Sequence, residues 1–197
     1  MEKPRNFDTT KATGEYSPLP AGGYICNIIG VEEVMSKTGK PMIKVALDIA
    51  FGDEKGRFMN EYQSDTRQPK KWPNNAVVYQ LVNDAEGNTH GRFKQFTNCV
   101  EQSNDGFMIR WGSEFCQCFK GKLIGVLFGR EQYESQKDGS LKWSTKPQFF
   151  KTVDEIRNND FRVPEDRYLQ NHSSAAPIPD MPIPEGFAAI DDSSIPF

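Results

Sequence analysis

The 197 residues carry 24 Lys and Arg against 27 Asp and Glu, a formal charge of −3, and 37% of them are hydrophobic, including 14 Phe, 6 Tyr and 3 Trp. That is enough apolar material for one core of ordinary domain size plus a tail. No apolar run approaches the roughly 20 residues a bilayer crossing needs, and Met1-Glu2-Lys3-Pro4-Arg5 has no apolar stretch behind it, so neither a membrane span nor an export signal is expected and a cytoplasmic setting is.

Residues 1–18 are polar and turn-rich and predict a flexible arm. Ala21-Gly22-Gly23 then leads into Tyr24–Val31, a β-branched run that predicts a first strand. Ser36–Pro41 has the composition of a turn. Met42–Phe51 follows with apolar residues at 43, 45, 47, 49 and 51, a period of two and a second strand. Gly52–Gly56 is another turn, and Arg57–Tyr62 is expected to return as a third strand.

Residues 63–89 are broken by Pro69, Pro73 and several Asn; within them Ala76–Val82 fits a short helix or a strand. Phe93, Phe96, Thr97 and Val100 repeat at helical spacing, so 91–103 predicts an amphipathic helix. Leu123 to Tyr133 reads as a fourth strand, Lys137-Asp138-Gly139-Ser140 as a hairpin turn, and Leu141–Val153 as a fifth strand. The expected class is mainly β: an OB-like five-stranded barrel over 19–170 with a helix-containing insert. An immunoglobulin-like sandwich needs about seven strands and fits less well.

Cysteines 26, 99, 116 and 118 include one close pair, Cys116-x-Cys118, with no second pair or neighbouring His to complete a zinc set. Free thiols are expected, and no cofactor. From 171 onward the composition shifts to Ser, Ala, Pro and Asp, with five prolines between Pro177 and Pro196 and no periodic apolar face. Such a segment buries too little surface to offset its ordering entropy, so 171–197 is expected to be a disordered tail. All the Lys and Arg lie at or before Arg167. Residues 1–170 therefore hold 24 basic and 23 acidic residues, whereas 171–197 hold four acidic residues alone. A near-neutral body with an acidic end is compatible with a polyanion ligand despite the overall charge.

The chain closes on Asp191-Asp192-Ser193-Ser194-Ile195-Pro196-Phe197. An acidic pair followed by Ile-Pro-Phe at the end of a disordered tail resembles the C-terminal tip of bacterial single-stranded DNA-binding proteins, and of tail-bearing phage proteins of that kind. The tip of that family usually has a third acidic residue where Ser193 or Ser194 stands, which implies a weaker partner affinity here. Gly22-Gly23-Tyr24, the Ser36–Gly39 turn and Val153–Arg157 are similar to a phage family encoded among replication and recombination genes. The resemblance implies an OB-fold protein that coats single-stranded DNA and recruits replication or recombination proteins, in a bacterial cell or a phage-infected one. In physical language, Phe197 is a rigid apolar anchor beside its own carboxylate, Pro196 lowers the entropy lost on docking, Ile195 adds apolar area, and Asp191 and Asp192 steer toward a basic rim.

Sequence-tolerant binding of single strands needs cations along the phosphates and aromatic faces for the bases. Four places mix the two: Lys70-Lys71-Trp72 in the insert, Arg110-Trp111, Arg130 with Tyr133 leaving the fourth strand, and Lys142-Trp143 with Lys146 opening the fifth. Lys37 and Lys40 flank the first inter-strand turn. In OB barrels that turn and the last hairpin border the ligand groove. Trp72, between Lys71 and Pro73, is expected to be exposed, while Trp111 and Trp143 suit the core and a stacking face equally. Phe149-Phe150 should place one ring inside and one out.

An enzyme is not expected. Neither G-x-x-x-x-G-K-[ST] nor G-x-S-x-G occurs, and the only histidines are His90 and His172. A two-metal nuclease assembled from carboxylates such as Asp48, Asp53, Glu54 and Asp65 has no favouring pattern. The remaining alternative is an adaptor or inhibitor that docks replication proteins through the same tip without touching DNA. Homo-oligomers through edge strands remain open.

Overall fold

The alternation along Met42–Phe51 becomes a strand whose inward residues Ile43, Val45, Leu47 and Ile49 are buried, in a computed structural model that describes residues 3–5 and 17–169. This is β2 (Pro41–Ile49). It pairs antiparallel with β1 (Gly22–Met35), which continues onto β4 (Leu123–Glu134), itself paired with β5 (Leu141–Lys151). On the other side β2 pairs with β3 (Val77–Leu81), so the chain folds around one five-stranded antiparallel sheet of order β3-β2-β1-β4-β5. The two outer strands, β3 and β5, both line a cavity of about 150 Å³, and no ladder joins them among the described residues.

The expected third strand at Arg57–Tyr62 is instead a helix, α1 (Arg57–Ser64). Gly56 takes φ 73°, which sharply redirects the chain after the turn, and provides no side-chain cap. The buried carboxylate of Asp48 supplies one: its Oδ1 accepts from the backbone N–H of Phe58 (3.0 Å) and Met59 (3.3 Å), as well as its neighbour Ile49. Those are donors a helix start would otherwise leave unpaired. Phe58 is thereby driven into the core, where its ring stacks on Phe128 at 6.0 Å. The true third strand is drawn from the segment left open in sequence.

Helix α2 (Gly91–Gln102) has the expected bounds within one residue, and buries Phe93, Phe96, Thr97, Cys99 and Val100. Phe96 sits between Phe119 (5.1 Å) and Phe150 (5.0 Å), and the helix packs against β3, β4 and β5. Burying such a ring contributes about 1.5–3 kcal/mol. Two short helices complete the fold: α3 (Phe115–Cys118) and α4 (Val153–Arg157), the latter started by a capping box between Thr152 and Glu155. No described helix is long and apolar enough to cross a membrane. The tail and tip, 171–197, and most of the N-terminal arm lie outside the described residues.

Candidate nucleic-acid interface

The outer face of β1–β2–β3 carries a groove lined by both polar and apolar residues. Its floor follows from register: Gly30 pairs with Ala46 and Ala46 with Val77, so small side chains run across three strands. A bulge in β1 between Ile28 and Gly30 adds Ile29 to this floor and increases the local twist. Two pairs further along, on the same face, Glu32 faces Lys44 and Lys44 faces Tyr79, giving a cross-strand row of acid, base and aromatic ring. Tyr79 is 58% exposed. The enclosed volume is about 640 Å³.

One wall is built by α1 and the loop after it. Trp72 donates its Nε1–H to the Leu47 carbonyl at 3.2 Å, and its ring meets Tyr62 at 5.4 Å and 37°. Lys70 lies over the Tyr62 ring at 5.8 Å and donates to the Gln63 carbonyl, with its ammonium still at the surface. Lys71 is exposed on the same wall. Upstream, Arg67 grips Asp65 through its Nε and Nη2 and holds that carboxyl at about 2, below its usual range, which fixes the loop's first turn. Trp72 is therefore half-buried rather than exposed as its flanks suggested: its inner edge packs on the core and its remaining surface faces the groove. Lys44 is less available, since Glu32 pairs with it at 2.9 Å.

The other sequence-predicted residues fall in two further places. Lys37 and Lys40 are exposed on the β1–β2 turn, which Ser36 closes by accepting from Lys40 N–H at 2.9 Å. Near that turn Trp111 is 68% exposed, stacked on Phe115 at 5.2 Å and 14°, beside an apolar pocket of about 510 Å³ that includes Met35 and Pro41. Arg110 next to it pairs with Glu114 at 2.9 Å. Trp111 thus proves to be a surface ring.

Arg130, Tyr133, Lys142, Trp143 and Lys146 all lie on the β4–β5 hairpin, but register splits them. Arg130 pairs with Thr145 and Trp143 is two residues away, so both use one face; Tyr133 and Lys142, paired with each other, share the opposite face with Lys146. Arg130 lies over the Trp143 ring at 4.8 Å. Lys142 pairs with Asp138 and Lys146 with Glu131 at 3.2 and 3.3 Å. Phe150 is buried and Phe149 is half exposed with Arg92 over its ring at 5.1 Å, the split that alternation predicts.

Lys44, Tyr62 and Tyr79 were not singled out from sequence. The period of two in β2 already placed Lys44 opposite the buried 43-45-47 face. Tyr62 was assigned to a strand, and Tyr79 to a segment with no settled conformation.

All four cysteines are free, and Cys116 and Cys118 diverge on a helix. Burial pushes the Cys26 thiol far up and the Cys99 thiol up to about 11. Among the described residues no group of three His, Cys, Asp or Glu is placed to hold a metal ion. Of the carboxylates considered above, Asp48 caps α1, Glu54 pairs with Arg57 at 2.6 Å and Asp65 with Arg67. His90 caps α2, its Nδ1 accepting from Arg92 N–H at 3.2 Å. No protein-family model matches the chain, and a search of curated proteins finds no match.

Proposed function

We propose that this protein binds single-stranded DNA without strong sequence preference, holding the strand in the groove on β1–β2–β3, and that its C-terminal tip recruits replication or recombination proteins. The observation that carries the reading is the groove wall, where Lys70 and Lys71 stand beside Tyr62 and Trp72 and face Tyr79 across a floor of small residues. Cations at that spacing meet phosphates, and the rings offer faces to bases.

The sheet supports an OB reading of the fold. Going round the strands as β1-β2-β3-β5-β4, with a helix between β3 and β4, gives the OB order. Closure would need β3 and β5 to pair, and what supports it is that these two outer strands line one cavity, although no ladder joins them among the described residues. In that fold the face of strands 2 and 3 is the one that takes oligonucleotides, which is where this groove lies.

The test is a titration of intrinsic Trp emission with an oligo-dT of about 30 nucleotides, long enough to cover one OB site, at low and high salt. Quenching that weakens with salt supports the reading. No quenching and no mobility shift would move it to an adaptor that docks proteins through Asp191, Asp192, Ile195, Pro196 and Phe197. The exposed Trp111 beside its apolar pocket favours that second reading, as a surface suited to protein contact.

A further inference from the structure

After β5 and α4 the chain returns to the β4–β5 hairpin and lies along the free edge of β4. Arg167 N–H donates to the Arg130 carbonyl at 2.9 Å and Gln132 N–H to the Arg167 carbonyl at 2.8 Å, a parallel bridge of Arg167 to Glu131. Alternation then sends Asp166 and Tyr168 to one face and Arg167 to the other. On the first face Asp166 takes the Arg130 guanidinium with both oxygens, Nε donating to Oδ1 at 2.9 Å and Nη2 to Oδ2. Tyr168 meets the Trp143 ring edge-on at 5.2 Å and 80°. On the second face Arg167 pairs with Glu131 at 3.0 Å, where Lys146 is also paired.

An anion held by Nε and Nη2 of an arginine, beside an aromatic ring set edge-on against a tryptophan, occupies the places that a nucleotide's phosphate and base would take at Arg130 and Trp143. Resting on the single-strand reading above, we infer that Asp166 and Tyr168 hold the phosphate and base positions of a nucleotide site on the β4–β5 hairpin, and that a bound single strand displaces this strap. The strap is built to leave. Residues 162–169 contain no buried side chain, and Tyr168 is 69% exposed. The side-chain hydrogen bonds that hold it are exposed, and a segment with no buried side chain is of the kind that opens before the rest of the fold. The Arg130 hydrogen bond keeps the Asp166 carboxyl below its usual range, so the mimic carries its charge at neutral pH. Its removal frees Arg130, whose guanidinium already lies over Trp143.

The experiment uses the full chain and dT oligonucleotide. The double variant D166N/Y168A should bind about fivefold more tightly, the gain expected when the open form is roughly a fifth of the population. Its plot of log affinity against log salt should steepen by about 0.7, one more phosphate contact on a single strand. Adding R130Q to that variant should cancel both changes. In the unmodified protein, hydrogen exchange at Gln132 and Arg167 should quicken when dT is added. Unchanged or weaker binding by D166N/Y168A, with Gln132 and Arg167 still protected in the complex, overturns the strap while leaving the groove in place. Failure of the unmodified protein to bind dT at all overturns the single-strand reading and the strap with it.

Discussion

The indole N–H of Trp72 donates to the main-chain carbonyl of Leu47 at 3.2 Å, pinning the wall of the groove to the strand that forms its floor. One residue thus belongs to both packing and the proposed site. Trp72→Ala should weaken dT binding by about 1–3 kcal/mol, the worth of one stacked base. Trp72→Phe keeps a ring but loses the hydrogen bond. It should cost stability of about 1 kcal/mol while retaining most of the binding. Equal binding loss in both variants, measured by the same titration, would show that the bond rather than the ring matters.

Lys70 and Lys71 are exposed at the rim, so their contribution should be electrostatic and independent of base identity. The double variant K70Q/K71Q should reduce the salt slope by about 1.4, two phosphate contacts at about 0.7 each. Affinity for dT, dA and dC oligonucleotides should fall in parallel. A loss confined to one base would show that these lysines read base edges.

Asp48 was weighed in sequence as a possible metal-binding carboxylate; in the fold it is 7% exposed and caps α1. Asp48→Ala should destabilise the protein by about 1–3 kcal/mol because buried N–H donors lose their acceptor. Asp48→Asn, which retains an oxygen at that position, should cost less. A urea melt that ranks the two the other way would remove the capping role.

Thiol chemistry gives a fourth check. Burial raises the thiols of Cys26, Cys99 and Cys116, and a raised thiol pKa means less thiolate at a given pH. Cys26, Cys99 and Cys118 are also buried, whereas Cys116 is only partly so. Alkylation at pH 8 should therefore label Cys116 first and slowly, with the other three reacting only in denaturant. Mass spectrometry after short exposure to iodoacetamide reads the order directly; early labelling of Cys26 would contradict its buried place on β1 between β2 and β4.

Local patterns in the sequence determined a good part of this protein. The 43-45-47-49 alternation defined β2 and its buried face, and the spacing of Phe93, Phe96, Thr97 and Val100 defined α2, because period and burial are set by the chain itself. The Asp138-Gly139 turn located the β4–β5 hairpin for a similar reason, and Lys70-Lys71-Trp72 marked one wall of the groove. What sequence left undecided depended on partners far along the chain. Whether Arg57–Ser64 became strand or helix turned on Asp48, nine residues before its start, reaching over to cap it. Val77–Leu81 became a strand only because β2 offered an edge. The same holds for the site: register alone separated Arg130 and Trp143 from Lys146, and only the returning chain brought Asp166 and Tyr168 onto them. Such pairings are non-local, and no window of neighbouring residues contains both members.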